Sequence, residues 1–397
     1  MKFILFANTD WYLYNFRLST ARRLQTDGHE VVMLSPPGEF GARFAQHGFR
    51  WVPLRTMDRA SLNPLREARV LGELVRVLRA EKPDLLHSFT VKCAVYGALA
   101  ARAARVPAVV NAVAGMGFVY ASDSARARML RPVVSRMMRM TLGAGRSRVI
   151  LQNPDDAEAF VRAKLVPETQ IRVIRSSGVN LERFRPPARD DAVAPAARRP
   201  LRVLLAARLL WEKGVGEYVE AARILKAQGR DVEFLLAGTP DPGNPRSVTQ
   251  AEAEAWAREG AVQWLGHVED MPSLMASADA MVLPSYYREG VPKSLIEAAA
   301  CGLALVTTNL PGCREVVRQH GICGLHVEPR NATQLAERIA LLDDDRALLR
   351  RLGETARSRA LSEFDEQIVI GRTLDVYREL LPPREATPAP VRIAVGG

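Results

Sequence analysis

The chain has 397 residues, 48% of them apolar and 25% charged, which excludes wholesale disorder and suits two domains of ordinary size. No run approaches the roughly 20 uninterrupted apolar residues of a spanning helix: residues 94–114 are broken by Arg102, Arg105 and Pro107, and the first strand turns polar at Asn8-Thr9-Asp10, too soon for a signal peptide. The net charge of +11 is lopsided, with 27 Lys and Arg against 14 Asp and Glu in residues 1–180 and 28 against 30 in the rest, so an anionic partner is expected for the first half of a soluble, cytoplasmic protein.

Along the first half, short apolar runs at 2–7, 30–35, 84–88, 107–112, 148–152 and 172–175 read as strands. Helical stretches at 16–26, 65–80 and 92–104 separate them, and strands alternating with helices predict a parallel, doubly wound α/β sheet. The pattern stops near Pro186, and residues 181–200 form a Pro/Ala-rich linker. It then starts afresh, with strands at 201–207, 232–237, 261–265, 280–283, 304–307 and 325–328 and helices at 216–228, 332–342 and 346–360. The fold expected is two Rossmann-like domains, 1–180 and 201–365, facing across a cleft that is the natural ligand site. A last helix over 366–381 can return to the first domain, and the tail 382–397 is expected to be disordered.

The four cysteines show no CxxC pairing and are expected to be small buried thiols. The six histidines have no ligand spacing, so no structural metal site is predicted, and His87, at a strand end, is read as structural. The run Asp343-Asp344-Asp345 is taken as a solvated loop between helices.

Chemistry concentrates at two strand ends. Arg208 and Lys213 follow strand 201–207, with Gly214 after them; alone they read as two solvated cations, but a guanidinium and an ammonium flanking such a turn suit a diphosphate. Residues 283–297 run from a strand through a loop into a helix. Gly290 permits close backbone approach, Pro292 suits the first helical turn, and free N–H groups at the helix start attract an anion. Glu289 in the loop and Glu297 on the helix, each an ordinary acid if taken singly, stand at two levels suited to hydroxyl groups on either side of a diphosphate. That is the outline of a nucleotide-sugar.

The E-x7-E pair Glu289 and Glu297, preceded by Pro-Ser and followed by Ala-Ala-Ala-Cys-Gly, resembles the donor site of family 4 retaining glycosyltransferases with the GT-B fold. Arg208 with Lys213-Gly214, the Gly178-Val179-Asn180 entry to the linker with Phe184, and Ala278-Asp279 before Leu283-Pro284-Ser285 match as well, so the resemblance covers essentially 1–381. It implies that Arg208 and Lys213 bind the nucleotide diphosphate, Glu289 the sugar hydroxyls and Glu297 the ribose. Backbone groups of Gly290, Val291, Pro292, Ser294 and Leu295 would contact sugar and phosphate, with neither metal nor cofactor. Asn15-Phe16-Arg17, the run Arg59-Ala60-Ser61-Leu62-Asn63-Pro64 and the 114–117 loop resemble a bacterial subgroup that extends polyprenyl-diphosphate-linked sugars, some members using UDP-N-acetylgalactosamine. Arg17, Arg59 and Asn63 are accordingly expected on the acceptor side. One departure is the family histidine that contacts the donor sugar: Asn111 stands there instead and offers an amide to a hydroxyl.

Between Asp123 and Asp155 there are seven arginines and no acid, and four of them, Arg128, Arg131, Arg136 and Arg139, lie opposite apolar pairs that recur at helical spacing. Such a helix reads as an interfacial anchor on an anionic membrane, and equally as a helix packed on the sheet with its arginines in water. Nucleic acid is not expected, with 6% aromatic residues and no binding module. The expectation is a retaining glycosyltransferase, peripheral on the inner face of the cytoplasmic membrane, that moves a hexosamine or hexose from a UDP-sugar to a lipid-diphosphate saccharide. Its rivals are a nucleotide-sugar epimerase of the same architecture and a non-catalytic binder; an oxidoreductase lacks G-x-G-x-x-G after the first strand.

Overall fold

The structure is a computed structural model that describes residues 1–58, 63–113, 125–187 and 199–381. Most of the expected linker, the 114–117 loop, Arg59 and the expected disordered tail therefore lie outside the described residues.

The N-terminal domain runs β1 (Lys2–Phe6), α1 (Asp10–Thr26), β2 (Glu30–Ser35), β3 (Arg50–Pro53), α2 (Pro64–Glu81), β4 (Leu85–Phe89), α3 (Val91–Ala104), β5 (Ala108–Val113), α4 (Ala125–Thr141), β6 (Ser147–Leu151), α5 (Pro154–Arg162) and β7 (Ile171–Val173). Its seven strands pair in parallel in the order β3-β2-β1-β4-β5-β6-β7. Central strands such as Phe3-Ile4-Leu5-Phe6 are buried on both faces, so they read as unbroken apolar runs. Edge strand β3, Arg-Trp-Val-Pro, is four residues long and half exposed, too weak a pattern to recognise in the sequence. Helix α1 begins six residues before the predicted start because Thr9 caps it, its hydroxyl accepting the Tyr12 N–H at 3.2 Å.

The C-terminal domain repeats the scheme with β8 (Leu201–Ala206), α6 (Val215–Ala227), β9 (Val232–Ala237), α7 (Gln250–Arg258), β10 (Gln263–Gly266), α8 (Met271–Ala276), β11 (Ala280–Leu283), α9 (Lys293–Ala300), β12 (Ala304–Thr308), α10 (Cys313–Val316), β13 (Leu325–Val327), α11 (Ala332–Asp344) and α12 (Arg346–Arg359). The order β10-β9-β8-β11-β12-β13 is again parallel throughout. In both sheets the winding reverses beside the first strand, between β1 and β4 and between β8 and β11, which is where a doubly wound sheet opens a crevice.

The last helix, α13 (Glu366–Leu380), returns to the first domain, and Val369, Ile370, Leu374 and Tyr377 join a core with Phe3, Leu5 and Phe89. The two crossings run side by side: the Val179 N–H donates to the Phe364 carbonyl at 2.8 Å and the Glu366 N–H to the Val179 carbonyl at 3.0 Å. All four cysteines are buried, and burial pushes the Cys93, Cys301 and Cys313 thiols up to about 12. Asp344 and Asp345 of the triple aspartate are exposed as expected, but the run is no free loop: Asp343 and Asp344 end α11, Asp344 takes two bonds from Arg230 at 2.8 and 2.9 Å, Asp343 pairs with Arg346, and Asp345 caps α12.

Candidate active site

The site grows from the carboxyl ends of β8 and β11. Past β8 the chain makes a short turn, Trp211–Lys213, and Gly214 takes a φ of +78° to enter α6. A Cβ on Gly214 would strike the Pro284 carbonyl, so a glycine is what lets this turn lie against the loop leaving β11. The contact brings Lys213 onto Glu289, and the two form a salt bridge although 76 residues separate them. Ser285 Oγ lies 3.0 Å from both the Glu212 carbonyl oxygen and Glu289 Oε1. From β12, Thr307 and Thr308 donate to the carbonyls of Leu283 and Ser285 at 2.7 and 2.6 Å. Gly312, with a φ of +86°, packs under Gly290, where any Cβ would meet the Gly290 carbonyl oxygen. Glu289 is thus buried, fixed and charge-compensated.

Helix α9 carries Glu297 past its first turn, with Lys293 Nζ 3.8 Å from its carboxylate. Burial pushes the Glu297 carboxyl up to about 7, against the pull of Lys293 and Arg183, and it lowers the Lys293 ammonium. Arg208 is 59% exposed and pairs with Asp241 at 2.5 Å. Each of the three cations Arg208, Lys213 and Lys293 therefore lies beside a carboxylate.

Pro292 sits one residue earlier than the sequence suggests, at the cap of α9 and not inside its first turn. Two of the expected backbone donors are already used: the Val291 N–H bonds Gln152 Oε1 at 2.9 Å, and the Leu295 N–H bonds the Pro292 carbonyl at 3.2 Å. Ser294 is half-buried, and the Leu295 side chain belongs to the core.

The residues expected from the first domain are placed differently. Asn111 is fully buried in β5, in register with Ser88, and neither of its amide atoms has a hydrogen-bond partner. A side chain with no accessible surface presents nothing to a sugar, so Asn111 is not part of the site as it stands. Asn63 is the cap of α2, accepting the Leu65 and Arg66 N–H groups at 3.0 and 3.3 Å. Arg17 is buried, donates to the Tyr12 hydroxyl at 2.9 Å and stacks 4.3 Å from the Phe89 ring centroid. With His87, Gln152, Ser176 and Thr373 it lines a small pocket of about 10 Å³, room for about one water. His87 Nδ1 lies 2.6 Å from the Tyr377 hydroxyl, and burial together with the Arg17 charge lowers the imidazole pKa. Helix α4 packs through Met138, with Leu142 just past its end in the same core, while Arg136 and Arg139 face solvent and Arg131 is half-buried.

Sequence reading missed Gln152, Asp156 and Arg288. Arg288 Nε donates to Asp156 Oδ1 at 3.0 Å across the cleft. The signal was present, since Gln152-Asn153-Pro154-Asp155-Asp156 follows β6 at a strand end facing the cleft, but it reads only as a helix start.

Two family descriptions match the chain: "Glycosyl transferases group 1" over residues 189–359 and "Glycosyl transferase 4-like domain" over 16–177. The N,N'-diacetylbacillosaminyl-diphospho-undecaprenol alpha-1,3-N-acetylgalactosaminyltransferase of Campylobacter jejuni is 32% identical over 375 residues, covering 93% of this chain and 96% of its own. The UDP-Gal:alpha-D-GlcNAc-diphosphoundecaprenol alpha-1,3-galactosyltransferase of Escherichia coli is 24% identical, over 81% of this chain and 82% of its own. Among solved structures, Anabaena Alr3699/HepE in complex with UDP superposes with a TM-score of 0.75 at 20% identity, over 96% of this chain and all of that one, and shares the GT-B fold.

Proposed function

The chain belongs to the group 1 glycosyltransferases, and from that membership we propose that it transfers a sugar, N-acetylgalactosamine or another hexosamine or hexose, from a UDP-sugar to a polyprenyl-diphosphate-linked saccharide with retention of configuration. The acceptor class rests on the two relatives, whose names specify diphospho-undecaprenol substrates. The observation that carries the donor reading is the meeting of Lys213 with Glu289 at the ends of β8 and β11, with Glu297 on the helix beyond.

In this reading Lys213 and Arg208 take up the charge that grows on the departing diphosphate, in place of a metal ion. Glu289 accepts hydrogen bonds from the transferred sugar and favours the positive charge its ring gains. Held by Lys213 and Ser285, it serves as a fixed acceptor and not as a covalent nucleophile. The acceptor hydroxyl attacks on the face the nucleotide leaves, and its proton passes to the departing phosphate oxygen. The protein contributes position and charge. The enzyme works as a peripheral protein on the inner face of the cytoplasmic membrane, drawn there by the arginines of α4.

Radiolabelled UDP- and GDP-sugars, incubated with the protein and a membrane lipid extract, test this. Label should pass from a UDP-sugar into the lipid fraction and should do so equally in EDTA. Interconversion of the free nucleotide-sugar without transfer would point to an epimerase, and binding without turnover to a non-catalytic binder.

A further inference from the structure

The loop that carries Glu289 belongs to the C-terminal domain, yet it is fastened from the other one. On its near side Arg288 Nε donates to Asp156 Oδ1 at 3.0 Å. That carboxylate is fully buried, and its second oxygen accepts from Asn153 Nδ2 at 3.0 Å, so it is fixed before the arginine arrives. On the far side the Val291 N–H donates to Gln152 Oε1 at 2.9 Å. Two residues on, Lys293 Nζ donates to the Asn15 carbonyl at 3.0 Å and lies 4.6 Å from the Phe16 ring centroid. Glu289 and Gly290 are the two residues between the first two fastenings.

A buried carboxylate facing a guanidinium is held firmly, because separating the pair strands a charge away from water. Gln152 is nearly buried as well, and its loss would leave the Val291 N–H without a partner. Neither Gln152 nor Asp156 lies in any donor motif, and both come from the start of α5 and the residues leading into it.

We infer that Gln152 and Asp156 are positioning residues: from the N-terminal domain they clasp the 288–291 loop on both sides of Glu289, so that the loop whose carboxylate meets the transferred sugar, already held by Lys213 and Ser285, takes its final set only when the two domains are apposed. The inference rests on the donor reading above and goes beyond it. It makes domain closure and sugar positioning one event. It also separates two parts of the donor: Glu297 and Lys213 can hold the nucleotide on the C-terminal domain alone, while the sugar needs the clasp.

The test uses the full chain, with three measurements on each variant: turnover of the UDP-sugar and lipid-linked acceptor, calorimetric affinity for UDP, and thermal unfolding. In Asp156→Asn and Arg288→Ala, turnover should fall by about tenfold or more, since small misplacements at a reacting centre cost up to about 100-fold. The affinity for UDP should stay within about twofold of the wild type, because UDP carries no sugar for the clasp to position. The double variant should be no slower than the slower single one, because both changes open the same contact. Gln152→Ala, on the other side of the loop, should show the same split between turnover and UDP affinity, and it keeps the inference testable if Asp156→Asn fails to fold. Losses that appear only as a lower unfolding temperature, or that add in the double variant, overturn the clasp, as does wild-type turnover in folded Arg288→Ala and Gln152→Ala. Those results leave the donor reading intact. A wild-type chain that does not bind UDP overturns both.

Discussion

The two walls of the cleft are built on one strand order and treat charge in opposite ways. On the C-terminal wall Lys213, Arg208 and Lys293 each stand beside a carboxylate, from Glu289, Asp241 and Glu297. On the N-terminal wall Arg17 is 6% exposed, and among the described residues no carboxylate pairs with it. Its Nε and His87 Nε2 are buried without partners. Stacking on Phe89 returns only about 1–2 kcal/mol of the several that burying a cation costs. One wall supplies its cations with carboxylates of its own, so a bound anion would have to exchange partners there; the other buries a cation that no carboxylate pairs with among the described residues.

If the C-terminal wall works by partner exchange, Lys213 should matter most. On the proposed role, Lys213→Ala would remove a cation from the departing diphosphate, and it leaves the Glu289 carboxylate buried without its counter-charge. The loss in turnover should be about 2–4 kcal/mol, comparable to losing an oxyanion donor. Arg208→Ala should cost less, since that guanidinium is 59% exposed and water screens it. Steady-state kinetics on both decides it, and equal losses would break the contrast between a buried and an exposed pair.

The two glutamates sharpen the same point through binding. Free UDP keeps the ribose and lacks the sugar, so Glu297→Ala should weaken it by roughly 1.5–3 kcal/mol, the worth of hydrogen bonds to a charged group. Glu289→Ala should leave UDP affinity unchanged or improve it, because it frees Lys213 for the phosphate. Calorimetry reads both, and weaker UDP binding in Glu289→Ala than in Glu297→Ala would reverse the assignment.

The pH dependence of that binding follows from Glu297. Burial raises its carboxyl from an ordinary value of 4.5 to about 7, so between those values the folded chain holds a proton that the unfolded chain has lost. The contribution to stability is therefore greatest at the acid end of this window and is lost as pH rises through 7. If Glu297 holds the ribose as proposed, donor grip should run the other way, because only the ionised carboxylate would accept strongly from both ribose hydroxyls. UDP affinity should fall as pH drops from about 8 to about 6 in the wild type and change less in Glu297→Gln. Parallel titration curves for the two proteins would remove Glu297 from the ribose.

These outcomes also mark how far the sequence could be read. The two doubly wound domains were legible because central parallel strands such as Phe3-Ile4-Leu5-Phe6 and Val203-Leu204-Leu205 are buried on both faces and show as unbroken apolar runs. Glu289, Glu297 and Lys213 could be picked out because one short segment carries the two acids and a glycine turn marks the lysine. What could not be read is what depends on distant contact. Asp156 meets Arg288 across 132 residues of chain, and no local pattern separates that aspartate from any acid at a helix start. Asn111 fails for a related reason: its strand position faces the cleft end of the sheet, but which face it lies on decides exposure, and β5 buries it. Asn63 looks like a binding residue in its motif and spends its side chain on a helix cap.

The smallest expected effects concern the outer side of the positive wall. Helix α4 packs on the sheet along one side and leaves apolar side chains in solvent along the other. Met138 and Leu142 are core, yet Met129 at 79% exposure, Val133 at 57% and Met140 at 57% share the solvent side with Arg136 and Arg139. Exposed apolar side chains set among cations suit the boundary of an anionic bilayer, where each basic residue contributes about 1 kcal/mol within a Debye length. Arg136→Glu and Arg139→Glu should therefore weaken binding to vesicles containing phosphatidylglycerol, and the loss should fade as salt rises. Arg131→Glu should do less, because that side chain is half-buried. Met129→Ser with Val133→Ser should lower the part of binding that salt does not touch, at no cost to the core. Co-sedimentation across a salt series separates the charge term from the apolar one. Equal binding to neutral and anionic vesicles at every salt concentration would mean that the excess charge of this half serves the cleft alone.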